Sequence, residues 1–511
     1  MNLPPRPPAS SAAAVSTATS ASAASSARAK HNGMNQQEQA VLAKSFLEQK
    51  YQSMRADRDE VEKRRLQLED QLQHLPSEVQ HQYRQEFRRS EMLLQRAARK
   101  RLSVDTDFVL LKIIGKGAFG QVRLVKKKDT GEIFAMKTMV KEAMVLKNQV
   151  THVRAERNIL ASRLIDTTYL VELENSFQDR HNLYLLMEFL PGGDLMGLLM
   201  KENVLTEPAC KFYIAETLLA IEAVHEMGYI HRDLKPDNLL LDFRGHIKLT
   251  DLGLCKKVET TTSCRHSPSS PPSSSMPLSP LSSASSSPAP PPPLPNTTRY
   301  VRDRKQAYST VGTPDYISVE VLSQNGYGMG CDWWSMGVIL FECMFGYPPF
   351  YSDDPMQTCR RILNWKQSLK FPSPQTVSDD AMDFCQRLIC DPDTRLGARG
   401  GSQELKAAKW FTNVDFATLR QMDAPFVPKF SLPAKDILRE LQTRTPTDPR
   451  FRELIEEITC NFDQFPDEPL PGVGHLGKPT LGSWSDPKFL GFTFNNTKKS
   501  VPAAMVVVRK D

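Results

Sequence analysis

From residue 263 to residue 295 the chain holds 13 Ser and 11 Pro, and Arg265 is the only formally charged side chain. Such a segment has little apolar area to set against the entropy of ordering, so it reads as an exposed disordered loop. Whatever folds here must close around the loop. The stretch leading into it, "LTDLGLCKKVETTTSC", leaves an apolar strand through a tight Asp-Leu-Gly turn. An interruption of about 258–299 is therefore expected inside one large domain.

Composition divides the rest of the 511 residues. Residues 1–36 are rich in Ala, Ser and Pro and contain no acid, which predicts a disordered tail. A transit peptide shares that bias but would carry an amphipathic arginine stripe, which is missing. Residues 37–101 are charged and lack Gly, and two helices are predicted on either side of Pro76. Arg55, Arg58, Lys63, Arg64, Arg65, Arg84, Arg88, Arg89, Arg96, Arg99, Lys100 and Arg101 make this pair basic. Charge alone leaves two readings open, a solvated helical hairpin and a docking surface for an acidic partner. From residue 108 to 411 strand-like runs alternate with amphipathic helices, as in a large α+β domain. Residues 412–511 read as a tail poor in regular periodicity and dotted with aromatics.

Nine cysteines without a CxxC pair predict reduced thiols in an intracellular protein, neither a disulfide framework nor a zinc site. No apolar run is long enough to span a membrane. The net charge of +6 is modest for this length and implies no general attraction to nucleic acid.

Two motifs carry chemistry. "IIGKGAFGQVRLV" places Gly115, Gly117, Ala118, Phe119, Gly120 and Val122 after a strand. A GxGxxG alone also opens dinucleotide folds, but there a helix follows at once. Here "QVRLVKKKDTGEIFAMK" reads as strand, turn and strand, so the glycines lie in a β-hairpin whose amides can approach ATP phosphates. Lys137 then falls on the next strand, near Ala135, and Glu156 falls on a following helix as its partner. "YIHRDLKPDNLLLD" is far more specific. Asp233 is a carboxylate placed to accept a hydroxyl proton, Lys235 can neutralise a transferring phosphoryl group, and Asn238 offers an amide oxygen to magnesium.

Taken in chain order, these residues resemble a eukaryotic protein kinase over residues 108–411. The resemblance implies a bilobal kinase fold, α+β, with an N-terminal helical extension and a C-terminal AGC tail. Asp251 of "TDLG" stands where the family has DFG and would bind magnesium (Mg2+), with Leu252 as an apolar plug in place of Phe. Ser318-Val319-Glu320 stands where Ala-Pro-Glu is usual, with Arg395 as the expected buried partner of Glu320. Asp332 is expected to brace the catalytic loop. Met187, Glu188, Phe189 and Leu190 form the expected adenine hinge, closed over by Phe462 of "NFDQFP".

"GTPDYI", "CDWWSMG", "GYPPF" and "FLGFTF", with the basic helices and the long insertion, resemble the NDR/LATS branch of AGC kinases. That resemblance implies a MOB-type coactivator docked on residues 37–101 and phosphorylation of Ser309 and, by an upstream kinase, of Thr493. A phosphate on Ser309 would pair with Arg232, and Phe489, Phe492 and Phe494 would dock beside the helix bearing Glu156. Asp194, Asp237, Glu342 and Thr313 are the expected substrate-binding positions, the acids reading basic residues upstream of the target Ser or Thr. A monomeric kinase in a hetero-complex, cytoplasmic and open to the nucleus, is the expectation. Two rivals remain. One is a pseudokinase scaffold, supported by Leu252 and the Ser318-Val319 change. The other is a nucleic-acid binder using the basic helices, which lacks any stacking platform.

Overall fold

The computed structural model describes residues 36–73, 75–117, 120–162, 168–258, 314–324, 326–372, 377–471, 487–489 and 491–496. The expected interruption, with Ser309 and Thr313, lies outside them, as do Ala118 and Phe119 of the glycine motif. The chain forms two compact units, one built on residues 1–92 with 482–491, the other on residues 93–481 with 492–502.

In the first unit α1 (Gln36–Leu72) and α2 (Ser77–Arg99) flank Pro76, as the sequence predicts. Arg64 bonds Glu91 at 2.9 Å and Arg84 bonds Glu69 at 2.7 Å. The partners occur in reverse order on the two helices, so the pair is an antiparallel hairpin. Leu68 and Leu72 are buried near the turn, whereas Leu47, Tyr51 and Met54 are exposed further back along α1. A single turn, Pro487–Phe489, rests on α1, and Phe489 is fully buried.

The second unit opens with β1 (Phe108–Gly117), β2 (Gly120–Lys127) and β3 (Ile133–Val140), joined as antiparallel neighbours. Their apolar residues recur on one face, and Gly131, at φ 75°, turns β2 into β3 in a conformation that favours glycine. Next come α3 (Val150–Leu160), β4 (Leu173–Gln178) and β5 (Asn182–Glu188). The lower lobe is helical. It contains α4 (Leu195–Glu202) and α5 (Glu207–Glu226), a small hairpin of β6 (Leu239–Leu241) and β7 (Ile247–Leu249), then α6 (Gly330–Phe345). From Cys331 to Met344 every residue of α6 is buried, which makes it the lobe's central helix.

The tail departs from expectation. It carries two amphipathic helices, α7 (Ala434–Thr443) and α8 (Pro449–Ile458). Phe451, Leu454, Ile455 and Ile458 recur at i, i+3, i+4 and i+7 and are all buried. Further on, β8 (Phe494–Asn495) pairs antiparallel with β4, giving one six-stranded sheet in the order β1-β2-β3-β5-β4-β8.

Candidate active site

The glycine motif occupies the β1–β2 hairpin. A Cβ at Gly120 would lie 1.8 Å from the Thr138 carbonyl oxygen, so only glycine lets β2 approach β3 there. At Gly117 a Cβ would meet nothing within 4 Å, which leaves the backbone open to a ligand. Gly115 faces Val122 across the hairpin. Val122 packs with Ala135 in one apolar cluster that also takes in Phe189 and Phe462. Met187, Phe189 and Leu190 are buried, and the Phe462 ring sits 5.7 Å from that of Phe189. Glu188 is held from both sides, accepting from the Glu172 amide and the Lys248 ammonium.

Lys137, on β3, donates to Glu156 of α3 at 2.7 Å and to Asp251 at 2.9 Å. Burial alone would depress its ammonium, but the Asp251 and Glu156 charges outweigh that and raise it. The Lys137 charge in turn holds the Asp251 carboxyl down at about 2. Asp251 has φ 55° and ψ 63°, a left-handed conformation that is strained for a non-glycine residue and typical of functional turns. Leu252 follows, wholly buried in a single turn packed against α3. It is the apolar plug expected from the sequence.

Asp233 sits on the catalytic loop with Lys235 Nζ 3.3 Å from its Oδ2. Asn238 donates through Nδ2 to the Asp233 carbonyl at 2.8 Å, which turns its amide oxygen the other way. The loop is braced from below. Asp332 accepts from the His231 and Arg232 amides, both at 2.8 Å, and bonds His225 Nε2 at 2.7 Å. Arg232 is itself in the left-handed region at φ 69°, a strain that the Asp332 bonds sustain. Glu320 and Arg395 meet through two nitrogens and two oxygens at 2.5 and 3.0 Å.

The acids expected to read substrate fare differently. Asp194 caps α4 by accepting from the Gly197 amide at 2.7 Å. Burial, with the nearby Asp237 charge second, raises Asp194 to about 7. Burial likewise raises Asp237. Glu342 corrects the expectation. It lies in the fully buried centre of α6 and accepts the Tyr316 hydroxyl at 2.5 Å, so it lies inside the lobe, away from the surface where a peptide would be read. Sequence reasoning also missed Asp315, buried beside that pair and raised to about 7 by burial and the Glu342 charge. It missed, too, a cavity of ≈ 510 Å³ lined by His152, Arg154, Arg232, Lys256, Lys257 and Tyr327. The signal was a scatter of bases over three separate segments, which only folding brings together. Arg232 there donates to the Leu254 carbonyl and the Tyr327 hydroxyl.

Phe492 is buried, its carbonyl accepting from Ser176 Oγ at 2.6 Å, and Phe494 stands opposite Ser176 in the β4–β8 register. The motif therefore adds as an edge strand, with Thr493 exposed between the two aromatics.

The protein kinase domain family matches residues 108–273 and 297–411. The serine/threonine-protein kinase tricornered of Drosophila melanogaster is 42% identical over 454 residues, covering 86% of this chain and 92% of its own. The chain is a protein serine/threonine kinase of the NDR/LATS family. Fungal kinases of the family are as similar over less of their length. The serine/threonine-protein kinase CBK1 of Saccharomyces cerevisiae is 42% identical over 416 residues, 77% of this chain and 55% of its own. That of Yarrowia lipolytica reaches 46% over 354 residues, 68% and 60% of the two chains. As a family member the chain transfers phosphate from ATP to serine or threonine. Among the described residues no helix is long and apolar enough to cross a membrane.

Proposed function

We propose that the kinase phosphorylates Ser or Thr downstream of basic residues, with Asp233 orienting the attacking hydroxyl. The paired acids Asp194 and Asp237 carry this reading, since the charge of one raises the other and a substrate guanidinium would relieve both. Lys137 and the open backbone at Gly117 would hold the ATP phosphates, and Lys235 would neutralise charge at the moving phosphoryl group. The donor set fits magnesium: Asp251 stays ionised at neutral pH, and Asn238 turns an amide oxygen away from Asp233. Magnesium, when bound, neutralises the phosphate oxygens that it bridges.

Activation in this reading uses two phosphates and a MOB-type coactivator. The cavity of Arg154, Arg232, Lys256 and Lys257 suits a phosphate on Ser309, and Thr493 is open to an upstream kinase. Leu47, Tyr51 and Met54 lie at i, i+4 and i+7 on α1, near the exposed Arg55 and Arg58. An apolar stripe beside basic residues suits an acidic partner with its own apolar face. The test compares phosphate transfer to peptides with and without an upstream Arg, with and without a MOB-type protein. Preference for Arg that weakens in Asp194→Asn, with stimulation lost in Tyr51→Ala/Arg58→Glu, supports the reading. Equal rates on both peptides would overturn the substrate choice, and an unchanged rate with the partner would overturn the docking role.

A further inference from the structure

The helices α7 and α8 were invisible as such in the sequence, and their buried faces do more than close a tail. Ile437 and Leu441 of α7 and Phe451, Leu454 and Ile458 of α8 enter one apolar cluster with Ile114, Leu124 and Ile133 of the upper lobe. Phe189 of the hinge joins the same cluster, and Phe243 of the β6–β7 turn packs against it from the lower lobe. The contacts are specific as well as apolar. Lys126 Nζ donates to the Leu441 carbonyl at 2.8 Å and the Arg444 carbonyl at 2.6 Å, capping the end of α7, and lies 5.4 Å from the Phe451 ring centre. A Cβ on Gly131 would lie 2.5 Å from the Gln442 carbonyl oxygen, so the β2–β3 turn is fitted against the same helix end.

On the lower side the Lys435 ammonium lies 4.6 Å from the Phe243 ring centre. Past the end of α8, Asn461 donates to the hinge carbonyl of Pro191 at 3.0 Å and accepts from Lys201 at 2.7 Å. The next residue is Phe462, which packs on Phe189. One helical pair thus grips the strands bearing the glycine motif, the hinge and the lower lobe together.

We propose that α7 and α8 form a brace across the hinge that sets the spacing of the two lobes at the nucleotide cleft. Phe451, Lys126 and Lys435 are then positioning residues, acting on ATP affinity without touching ATP. The inference rests on the kinase reading, and ATP-analogue binding tests it separately from catalysis. A brace that fixes lobe spacing should move the KM for ATP while leaving the KM for peptide and kcat nearly unchanged, because the catalytic loop and the acids at Asp194 and Asp237 are built on the lower lobe alone. A merely structural role would lower the folded fraction and scale every rate together.

The experiment uses the full chain with Phe451→Ala and with Lys435→Ala, the second leaving no cavity in the core. Binding of a non-hydrolysable ATP analogue and the KM for ATP and for a basic peptide are measured for each. Phe451→Ala should weaken analogue binding and raise the KM for ATP about tenfold, the ratio equivalent to ~1.4 kcal/mol. Lys435→Ala should raise it about threefold, as for a cation–π contact of modest strength. If Phe451→Ala fails to fold, Lys435→Ala decides alone. Analogue affinity unchanged in every folded variant, or kcat falling at constant KM, overturns the proposal. An unsubstituted chain that binds the analogue but transfers nothing would count against the kinase reading and leave the binding test of the brace standing.

Discussion

Arg395 holds Glu320 through both terminal guanidinium nitrogens, and the ion pair is closed on all sides, with Arg395 1% and Glu320 7% exposed. The same guanidinium donates to the Gly330 and Cys390 carbonyls and lies 5.2 Å from the Trp334 ring centre. A pair so fully bonded survives without the usual preceding Ala-Pro. The changed residues, Ser318 and Val319, stand at the start of a one-turn helix, Val319–Leu322, where a proline is tolerated but not required.

Arg395→Ala should therefore be severe, because it leaves the Glu320 carboxylate buried and alone at a cost of about 3–5 kcal/mol. The yield of folded protein and the thermal midpoint report it. Ser318 is the opposite case. Its hydroxyl is buried without a hydrogen-bond partner, so Ser318→Ala should be neutral or stabilising by up to about 1 kcal/mol. Ser318→Ala with Val319→Pro should keep phosphate transfer within about twofold of the unsubstituted chain, since neither residue touches the reacting groups. A gain of tenfold or more would mean that the altered turn restrains the enzyme.

Leu252 fills the space beneath the metal-binding turn, fully buried against α3. Leu252→Ala opens a cavity there and should cost about 2–5 kcal/mol, much of it felt as loosening of the Glu156–Lys137 pair. Transfer rate and melting temperature should fall together. Leu252→Phe, which restores the usual residue, has to fit extra volume into a closed site, at a cost of about 1–3 kcal/mol. A large rise in rate for Leu252→Phe would contradict the view that leucine is a sufficient plug.

The raised carboxyl of Asp194 gives a pH signature. Its folded value of about 7 lies above the ordinary carboxylate value, so between those two the folded state binds more protons than the unfolded one. The contribution to stability is full below the ordinary value and is lost as pH rises toward 7. Recognition has the opposite sign, because the ionised form is what attracts a substrate guanidinium. The KM for an Arg-containing peptide should fall as pH rises through about 7, and Asp194→Asn should flatten that slope. A peptide without upstream bases should show no such trend. Steady-state KM from pH 6 to 8 checks all three.

The residues at the chemical centre were legible because their types and their order are both constrained. A phosphate-holding amine, its acid partner, a catalytic acid, an amide and a metal-binding acid have to recur along the strands and loops that face the cleft. The structure brings Lys137, Glu156, Asp251, Asp233, Lys235 and Asn238 to that cleft as the motifs implied. Glu342 was misread because charge suggests exposure, whereas its acid is satisfied inside the lobe by Tyr316. Two helices in the tail were overlooked, although their i, i+3, i+4, i+7 pattern was present, because each spans only 10 residues between prolines and polar stretches. The six-stranded sheet was beyond reach for a different reason. A two-residue strand has no pattern of its own, and β8 exists only where β4 offers a free edge.

Transfer of labelled γ-phosphate to a basic peptide by the full chain, beside an Asp233→Ala control, tests the central claim most directly. The account predicts transfer by the unsubstituted chain and a fall in kcat of about 10²–10⁴ in the control, with ATP-analogue binding unchanged. Analogue binding with no transfer by either protein, even with Thr493 phosphorylated and a MOB-type partner present, would contradict it and make the chain a scaffold.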